Sequence, residues 1–341
     1  MRVAVVGATG AVGRRMTQIL EERDFPVDEL VPLASARSAG REIEFRGQRH
    51  EVLELAPERF SGVDLALASA GASVSRQFLP GAAAGGTVCV DNSSAFRMEP
   101  DVPLTIPEVN PESLEGGPKI IAVPNCTTIT AMLPMGPLHR AAGLRSLVIS
   151  SYQSVSGAGW KGIVELEEQV EKLHGHEEEL GSPDPGMLPV GEVFGKTIAY
   201  NVVAKIADFE DDGYTGEESK MMAEPRKILS APDLFVAATA VRVPTTFAHA
   251  VSLYAEFDRA ITPDEAREIL ADAPGVVLRD DPANGIYPSP IEAAGHDEAF
   301  VGRIRQGEGR DDALLLFSCA DNLRKGAALN AVQIAEAVFP R

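Results

Sequence analysis

Three cysteines in 341 residues are too few, and odd in number, for a disulfide framework, which points to a reducing compartment. Long hydrophobic runs are missing too. No apolar stretch approaches the ~18 to 20 residues of a membrane span, and the opening MRVAVVGATG lacks the layout of a signal peptide. The expectation is a cytoplasmic protein with no membrane partner. Positive charge is also short: 31 Lys and Arg face 50 Asp and Glu, a net charge of −19. Such a field repels polyanions and argues against nucleic acid or an anionic membrane surface as partner. An anionic small substrate then requires a local basic pocket. Among the six histidines, His174 and His176 lie close together but have no third ligand at a usual spacing, so no metal is expected. There is no internal repeat.

A chain of this length exceeds the usual size of a single core, so two domains are expected. MRVAVV is a short apolar strand, GATGAVG a glycine turn, and RRMTQILEERD a helix with Val12, Met16, Ile19 and Leu20 on one face. Further strands are predicted at 29–35, 63–69, 87–91 and 119–123, with a helix in ASVSRQFLPGAAAG between the third and fourth. Residues 1–125 therefore read as an α/β unit, a Rossmann-like, doubly wound and mostly parallel sheet. Beyond residue 145 the strand-like stretches lengthen: RSLVISSYQSVSG, LFVAATAVRVP, AHAVSLYAEFD and DALLLFSCAD. With helices in WKGIVELEEQVEKL, EESKMMAEPRKILS and TPDEAREILAD, they suggest an α+β second domain, residues 126–321, with a mixed or antiparallel sheet. Residues 174–195, rich in Pro, Gly and acid, read as a loop. Residues 322–341 read as an amphipathic helix returning to the first domain.

Gly7, Gly10 and Gly13 follow the first strand and open a helix, with Thr9, Ala11 and Val12 between them. This placement lets backbone N–H groups and the helix N-terminus meet a pyrophosphate. A carboxylate at the tip of the second strand would mark NAD, but that tip reads ASARSAG. Arg37, flanked by Ser35 and Ser38, is suited to a 2′-phosphate, so NADP is the expected cofactor. Cys126 stands between a strand and what reads as the first turn of a helix, where the macrodipole favours a thiolate. Nucleophile and buried thiol are both open readings; Asn125 beside it is a candidate oxyanion donor. Cys89 and Cys319, in apolar runs, read as buried hydrophobes. A thiolate near a nicotinamide implies aldehyde oxidation through a thioester, which needs a proton shuttle. His249 is the best-placed histidine, although a satisfied core histidine is the alternative. Arg242, seven residues earlier, offers a planar fork for a carboxylate. An odd spacing puts the two on opposite faces of a straight strand, so Pro244 and the threonines after it must break the strand if they are to converge.

GATGAVG, DNSSAFR, VPNCTT, SYQSVSGAG, GYTGEESKM, VRVP followed by His, and DNLRKGAALNAVQIAE occur in this order from one end of the chain to the other. In this the sequence resembles the aspartate-semialdehyde dehydrogenases. The resemblance implies reversible, NADP-dependent reductive dephosphorylation of 4-phospho-L-aspartate to aspartate 4-semialdehyde, on the route to lysine, threonine and methionine. It implies that Cys126 is the acyl-thioester nucleophile, His249 the acid/base and Gln153 a substrate-positioning residue. Arg242 would bind the α-carboxylate, Glu217 the α-amino group, and Lys220 with Arg97 the phosphate. Arg37 and Ser38 match the adenine-side contacts; Ser156, Gly157 and Asn322 match those near the nicotinamide. A homodimer through the second domain is implied as well. The chain departs from the family pattern at Ala248 and Ala250, where Gly and Ser are common, and in YNVVAKIADF around Lys205. N-acetyl-glutamyl-phosphate reductases have a different cysteine context, glyceraldehyde-3-phosphate dehydrogenases lack the EESK and VRVP combination, and a non-catalytic paralogue would lose the cysteine.

Overall fold

Short apolar strands buried on both faces need cover on each side, and parallel crossovers supply it. The computed structural model, which describes residues 1–181 and 188–340, has β1 (Arg2–Val6), α1 (Ala11–Glu22), β2 (Glu29–Ala34), β3 (Glu42–Phe45), β4 (Gln48–Glu51), β5 (Leu53–Glu54), β6 (Leu65–Ala68), α2 (Ala72–Ala84), β7 (Val88–Asp91) and β8 (Ile120–Ala122). Their sheet runs β5-β2-β1-β6-β7-β8, parallel throughout, while β3 and β4 form a separate hairpin. The strand order reverses between β1 and β6, so the crevice beyond their carboxyl ends is where a ligand is expected.

The second half holds α3 (Cys126–Ala142), β9 (Leu144–Gln153), α4 (Trp160–Leu173), α5 (Gly216–Ile228), β10 (Phe235–Arg242), β11 (His249–Phe257), α6 (Pro263–Ala271), β12 (Val276–Leu278), α7 (Pro290–Ala293), β13 (Ala299–Gln306), β14 (Ala313–Ala320) and α8 (Leu329–Val338). Its sheet, β10-β9-β11-β14-β13-β12, is mixed: β10 with β9 and β12 with β13 are parallel pairs, the others antiparallel. Helix α3 is buried along most of its length and packs on β11, β9 and β14. One apolar core is continuous from β1 and β6 through α3 to β9 and β11.

The final segment returns to the first sheet, but not as one amphipathic helix. A π-helical turn at Arg324–Ala328 precedes α8, which is buried on most sides and packs on α1. Within that turn Lys325 is fully buried. Its Nζ donates to Glu108 Oε1 and Oε2 at 2.8 and 2.7 Å, to Asn330 Oδ1 at 3.2 Å and to Gln333 Oε1 at 2.6 Å. The loop expected at 174–195 lies partly outside the described residues. Its described part includes a 3-10 turn at Glu177–Gly181, and His176 Nδ1 lies 3.1 Å from Glu179 Oε1. Among the described residues no helix is long and apolar enough to cross a membrane.

Candidate active site

Cys126 is the first residue of α3, because Asn125 caps that helix: its Oδ1 accepts from the N–H groups of Thr127 and Thr128 at 2.9 and 3.3 Å. The thiol sits at the positive helix end, which favours the thiolate; burial and the nearby Glu217 carboxylate act the other way and push its pKa up to about 11, against the pull of Arg97 and Arg242. The Asn125 amide Nδ2 donates to Glu217 Oε1 at 2.9 Å and its backbone N–H to Glu224 Oε2 at 2.7 Å, so one of the two amide N–H groups of this cleft-lining residue is engaged in bracing Glu217.

Gln153 and Arg242 end the parallel strands β9 and β10 in register with each other. After Arg242 the chain leaves the sheet, crosses residues 243–248 and re-enters at His249 on the other side of β9. The parity of the spacing is thereby removed, and the two side chains converge on Gly157. A β-carbon there would lie 2.7 Å from Arg242 Nη1 and 3.2 Å from His249 Nε2. Arg242 donates from Nη1 to Ser154 O at 2.7 Å, lies over the Phe194 ring, and leaves its buried Nε without a partner among the described residues. Burial lowers its pKa, opposed by the Glu217 carboxylate and by Cys126 in its thiolate form.

His249 is fully buried, and its pKa is driven well below the ordinary value by burial and by Arg242. The Ser154 N–H donates to Nδ1 at 3.1 Å. The proton of the neutral ring is thus assigned to Nε2, an atom with no partner among the described residues.

Helix α5 begins at a capping box between Thr215 and Glu218 and turns Glu217, Lys220 and Glu224 to one side. Glu217 Oε1 also accepts from Gln153 Nε2 at 3.1 Å, and its Oε2 pairs with Lys220 Nζ at 3.3 Å. Arg97 is buried, with Nη1 on Glu224 Oε1 at 3.0 Å, Nη2 on Asn92 O at 2.8 Å, and Nε unpartnered among the described residues.

A cleft of about 320 Å³ runs from Arg97, Asn125 and Cys126 to the glycine turn at Gly10 and Val12, with Ser69, Gly157 and Asn322 also in its walls; Gln153, Glu217, Lys220, Arg242 and His249 do not line it. The turn fits a dinucleotide. A β-carbon on Gly13 would approach Gly7 O to 2.2 Å, and no side chain caps α1 at Gly10, so its first N–H groups remain available to a phosphate. Thr9 Oγ1 donates to Ser38 Oγ at 3.3 Å, which ties the turn to the 3-10 segment after β2 where Arg37 stands exposed. At the other end Asn322 Oδ1 accepts from Ser154 Oγ, Ser156 Oγ and the Ala248 N–H.

Comparison with known proteins fits this arrangement. Family models described as "Semialdehyde dehydrogenase, NAD binding domain" and "Semialdehyde dehydrogenase, dimerisation domain" match residues 2–116 and 135–325. The chain is 48% identical to aspartate-semialdehyde dehydrogenase of Aquifex aeolicus, over 98% of this chain and 97% of that one. To the Corynebacterium glutamicum enzyme it is 49% identical, over 98% of each. A crystal structure of aspartate semialdehyde dehydrogenase II from Vibrio cholerae superposes with a TM-score of 0.92 at 40% identity, covering 99% of this chain and 98% of that one. The chain belongs to the aspartate-semialdehyde dehydrogenase family. It is therefore an oxidoreductase.

Against the family pattern, Ala248 is informative. It adopts φ +63°, the left-handed region where glycine is at ease and a β-carbon costs of order 1 kcal/mol. Its N–H bond to Asn322 Oδ1 at 3.0 Å holds it there. Lys205 is exposed, 3.7 Å from Asp208 and over the Phe209 ring, and does not line the cleft. Sequence reasoning missed three residues: Asn92, which lines the cleft with an unpartnered Nδ2 among the described residues; Glu224; and Gly326, which touches Cys126. DNSSAFR and GYTGEESKM pointed to the first two neighbourhoods without singling them out.

Proposed function

We propose that the chain is a phosphorylating, NADP-dependent aspartate-semialdehyde dehydrogenase. It converts L-aspartate 4-semialdehyde, phosphate and NADP+ to 4-phospho-L-aspartate and NADPH for lysine, threonine and methionine synthesis. It works as a cytoplasmic homodimer, with residues 1–125 and 322–341 as the cofactor unit and 126–321 as the catalytic and dimerisation unit. The observation that carries this reading is the meeting of Arg242 and His249 Nε2, the latter unpartnered among the described residues, at Gly157, which lines the cleft together with Cys126 and Gly10 of the glycine turn. A relative from Vibrio cholerae, 40% identical, has been solved "complexed with ASA", which supports the substrate.

In this reading Arg242 holds the substrate α-carboxylate bidentately, Gln153 orients the substrate, and Glu217 receives the α-ammonium, exchanging Lys220 for it. Lys220, once released, joins Arg97 around phosphate. His249 donates its Nε2 proton to the aldehyde oxygen as Cys126 Sγ adds to the carbon. The thiol proton replaces the one given, so the thiohemiacetal forms without net charge. The glycine turn would hold the pyrophosphate of the dinucleotide and Ser156, Gly157 and Asn322 its nicotinamide end, and the cofactor would supply the hydride acceptor for that carbon. The hydroxyl proton goes to solvent, because Nε2 of His249 already carries a proton and Nδ1 accepts from the Ser154 N–H, and the thioester on Cys126 remains. Phosphate oxygen then attacks the acyl carbon, Sγ leaves and takes the Nε2 proton of His249, and the phosphate proton replaces it. Burial of His249 disfavours the imidazolium, and no step requires it.

The test is NADPH formation followed at the nicotinamide absorbance, with each of aspartate semialdehyde, phosphate and NADP omitted in turn. All three should be required, and Cys126→Ala should abolish turnover while leaving NADP binding within about threefold. Turnover by that variant within tenfold of wild type would remove Cys126 from its role.

A further inference from the structure

Glu224 is nearly inaccessible to solvent, and its two carboxylate oxygens face different parts of the site. Oε1 accepts from Arg97 Nη1 at 3.0 Å; Oε2 accepts from the backbone N–H of Asn125 at 2.7 Å. Arg97 belongs to the loop after β7, while Asn125 is the cap of the Cys126 helix. A third element, α5, therefore ties the guanidinium that lines the cleft to the residue preceding the nucleophile. Arg97 is further fixed by Nη2 on Asn92 O, and its Nε, unpartnered among the described residues, remains a buried donor on a cleft-lining side chain.

We infer that Glu224 is a positioning residue that sets the phosphate-binding guanidinium and the start of the nucleophile's helix in one register. A buried carboxylate with no second partner for either oxygen would be expensive; here each oxygen is matched by a donor from a different element. The geometry is that of a strut. An acyl phosphate must present its phosphoryl group to Arg97 and its carbonyl carbon to Cys126 Sγ at the same time, and the separation of those two groups is fixed through Glu224. Near-attack geometry is sensitive to displacements of an ångström or less. The inference rests on the phosphorylating reaction proposed above.

The experiment is steady-state kinetics of wild type, Glu224→Gln and Glu224→Ala, with phosphate and aspartate semialdehyde varied separately and folding checked by circular dichroism and thermal melting. Glutamine keeps one accepting oxygen for the Asn125 N–H but offers Arg97 an N–H₂ group instead of an acceptor. Glu224→Gln should therefore raise KM for phosphate at least tenfold, with kcat and KM for the semialdehyde within threefold. Glu224→Ala removes both contacts and should add at least a tenfold loss of kcat. In an Arg97→Ala background, Glu224→Gln should change KM for phosphate by less than twofold, because the partner it orients is gone. That double variant decides the matter if Glu224→Ala does not fold. Unchanged KM for phosphate in a folded Glu224→Gln, or an equal rise in both KM values, overturns the inference. A wild type whose turnover does not depend on phosphate overturns the proposed reaction itself, and that result is read before any variant is made.

Discussion

Gly326 and Cys126 are in direct contact: a β-carbon on Gly326 would come within 2.9 Å of Cys126 Cβ and 3.3 Å of its Cα. Neither of those atoms lies at the far end of a flexible side chain, so the nucleophile's helix or the π-turn must give. Gly326→Ala should lower kcat by at least tenfold while the protein remains folded, with a loss of stability of about 1 to 3 kcal/mol. The check is kcat beside a denaturant titration; full activity in the variant would show that the contact relaxes without moving Sγ.

The raised pKa of Cys126, about 11, fixes the sign of its reactivity with pH. Thiolate is the alkylating form, and in the free protein it is a minor species at neutral pH. Inactivation by iodoacetamide should accelerate roughly tenfold per pH unit from 7 to 9 without a plateau. Cys89 and Cys319 are buried and each is pushed up to about 12, so they should not mask the profile. A plateau below pH 8 would show that the thiolate is already formed at rest.

Arg37 stands exposed after β2, in a segment, ASARSAG, that itself contains no carboxylate. Arg37→Ala should raise KM for NADP at least tenfold and leave KM for NAD within twofold, because only NADP carries the phosphate that the guanidinium would contact. Equal effects on both cofactors would remove Arg37 from the cofactor site.

Glu217 is buried and holds three donors, from Asn125, Gln153 and Lys220. A free α-ammonium can replace the Lys220 contact; a neutral N-acetyl group cannot, and is larger. N-acetylglutamate semialdehyde should therefore be used at least ~100-fold less efficiently than aspartate semialdehyde, on the scale of one unsatisfied charged partner. Glu217→Gln should erode that preference with NADP binding unchanged. Comparable kcat/KM for the two aldehydes in wild type would refute the assignment.

The strands of the first sheet and the glycine turn were legible because local pattern decides them: β1, β2, β6, β7 and β8 are short apolar runs punctuated by turn residues. Strand β13 was not legible, because Arg303 takes a positive φ and the register shifts between Gly302 and Arg305, which breaks the alternation that marks a strand. Helix α3 was legible at its start, where Asn125 precedes Cys126, but the state of the thiol was not. The macrodipole is a local property, whereas burial, the larger cause of the raised pKa, and the carboxylate of Glu217, from a helix some ninety residues on, are set by the fold. Glu224 escaped for the same reason: a glutamate in a helical, charged stretch looks like a solvated face until the fold sets it against Arg97 and Asn125.

The burial of Lys325 among Glu108, Asn330 and Gln333 bears on how the molecule comes apart. Two of its partners, Asn330 and Gln333, belong to α8 itself, and Glu108 lies in the long connection before β8. Peeling away the last helix thus strips acceptors from an ammonium held against one carboxylate, at a cost of several kcal/mol, a large fraction of the 5–15 kcal/mol that typically separates folded from unfolded. The terminal helix is accordingly a keystone: fraying from that end is suppressed, and calorimetry should record one endotherm in which both sheets melt together.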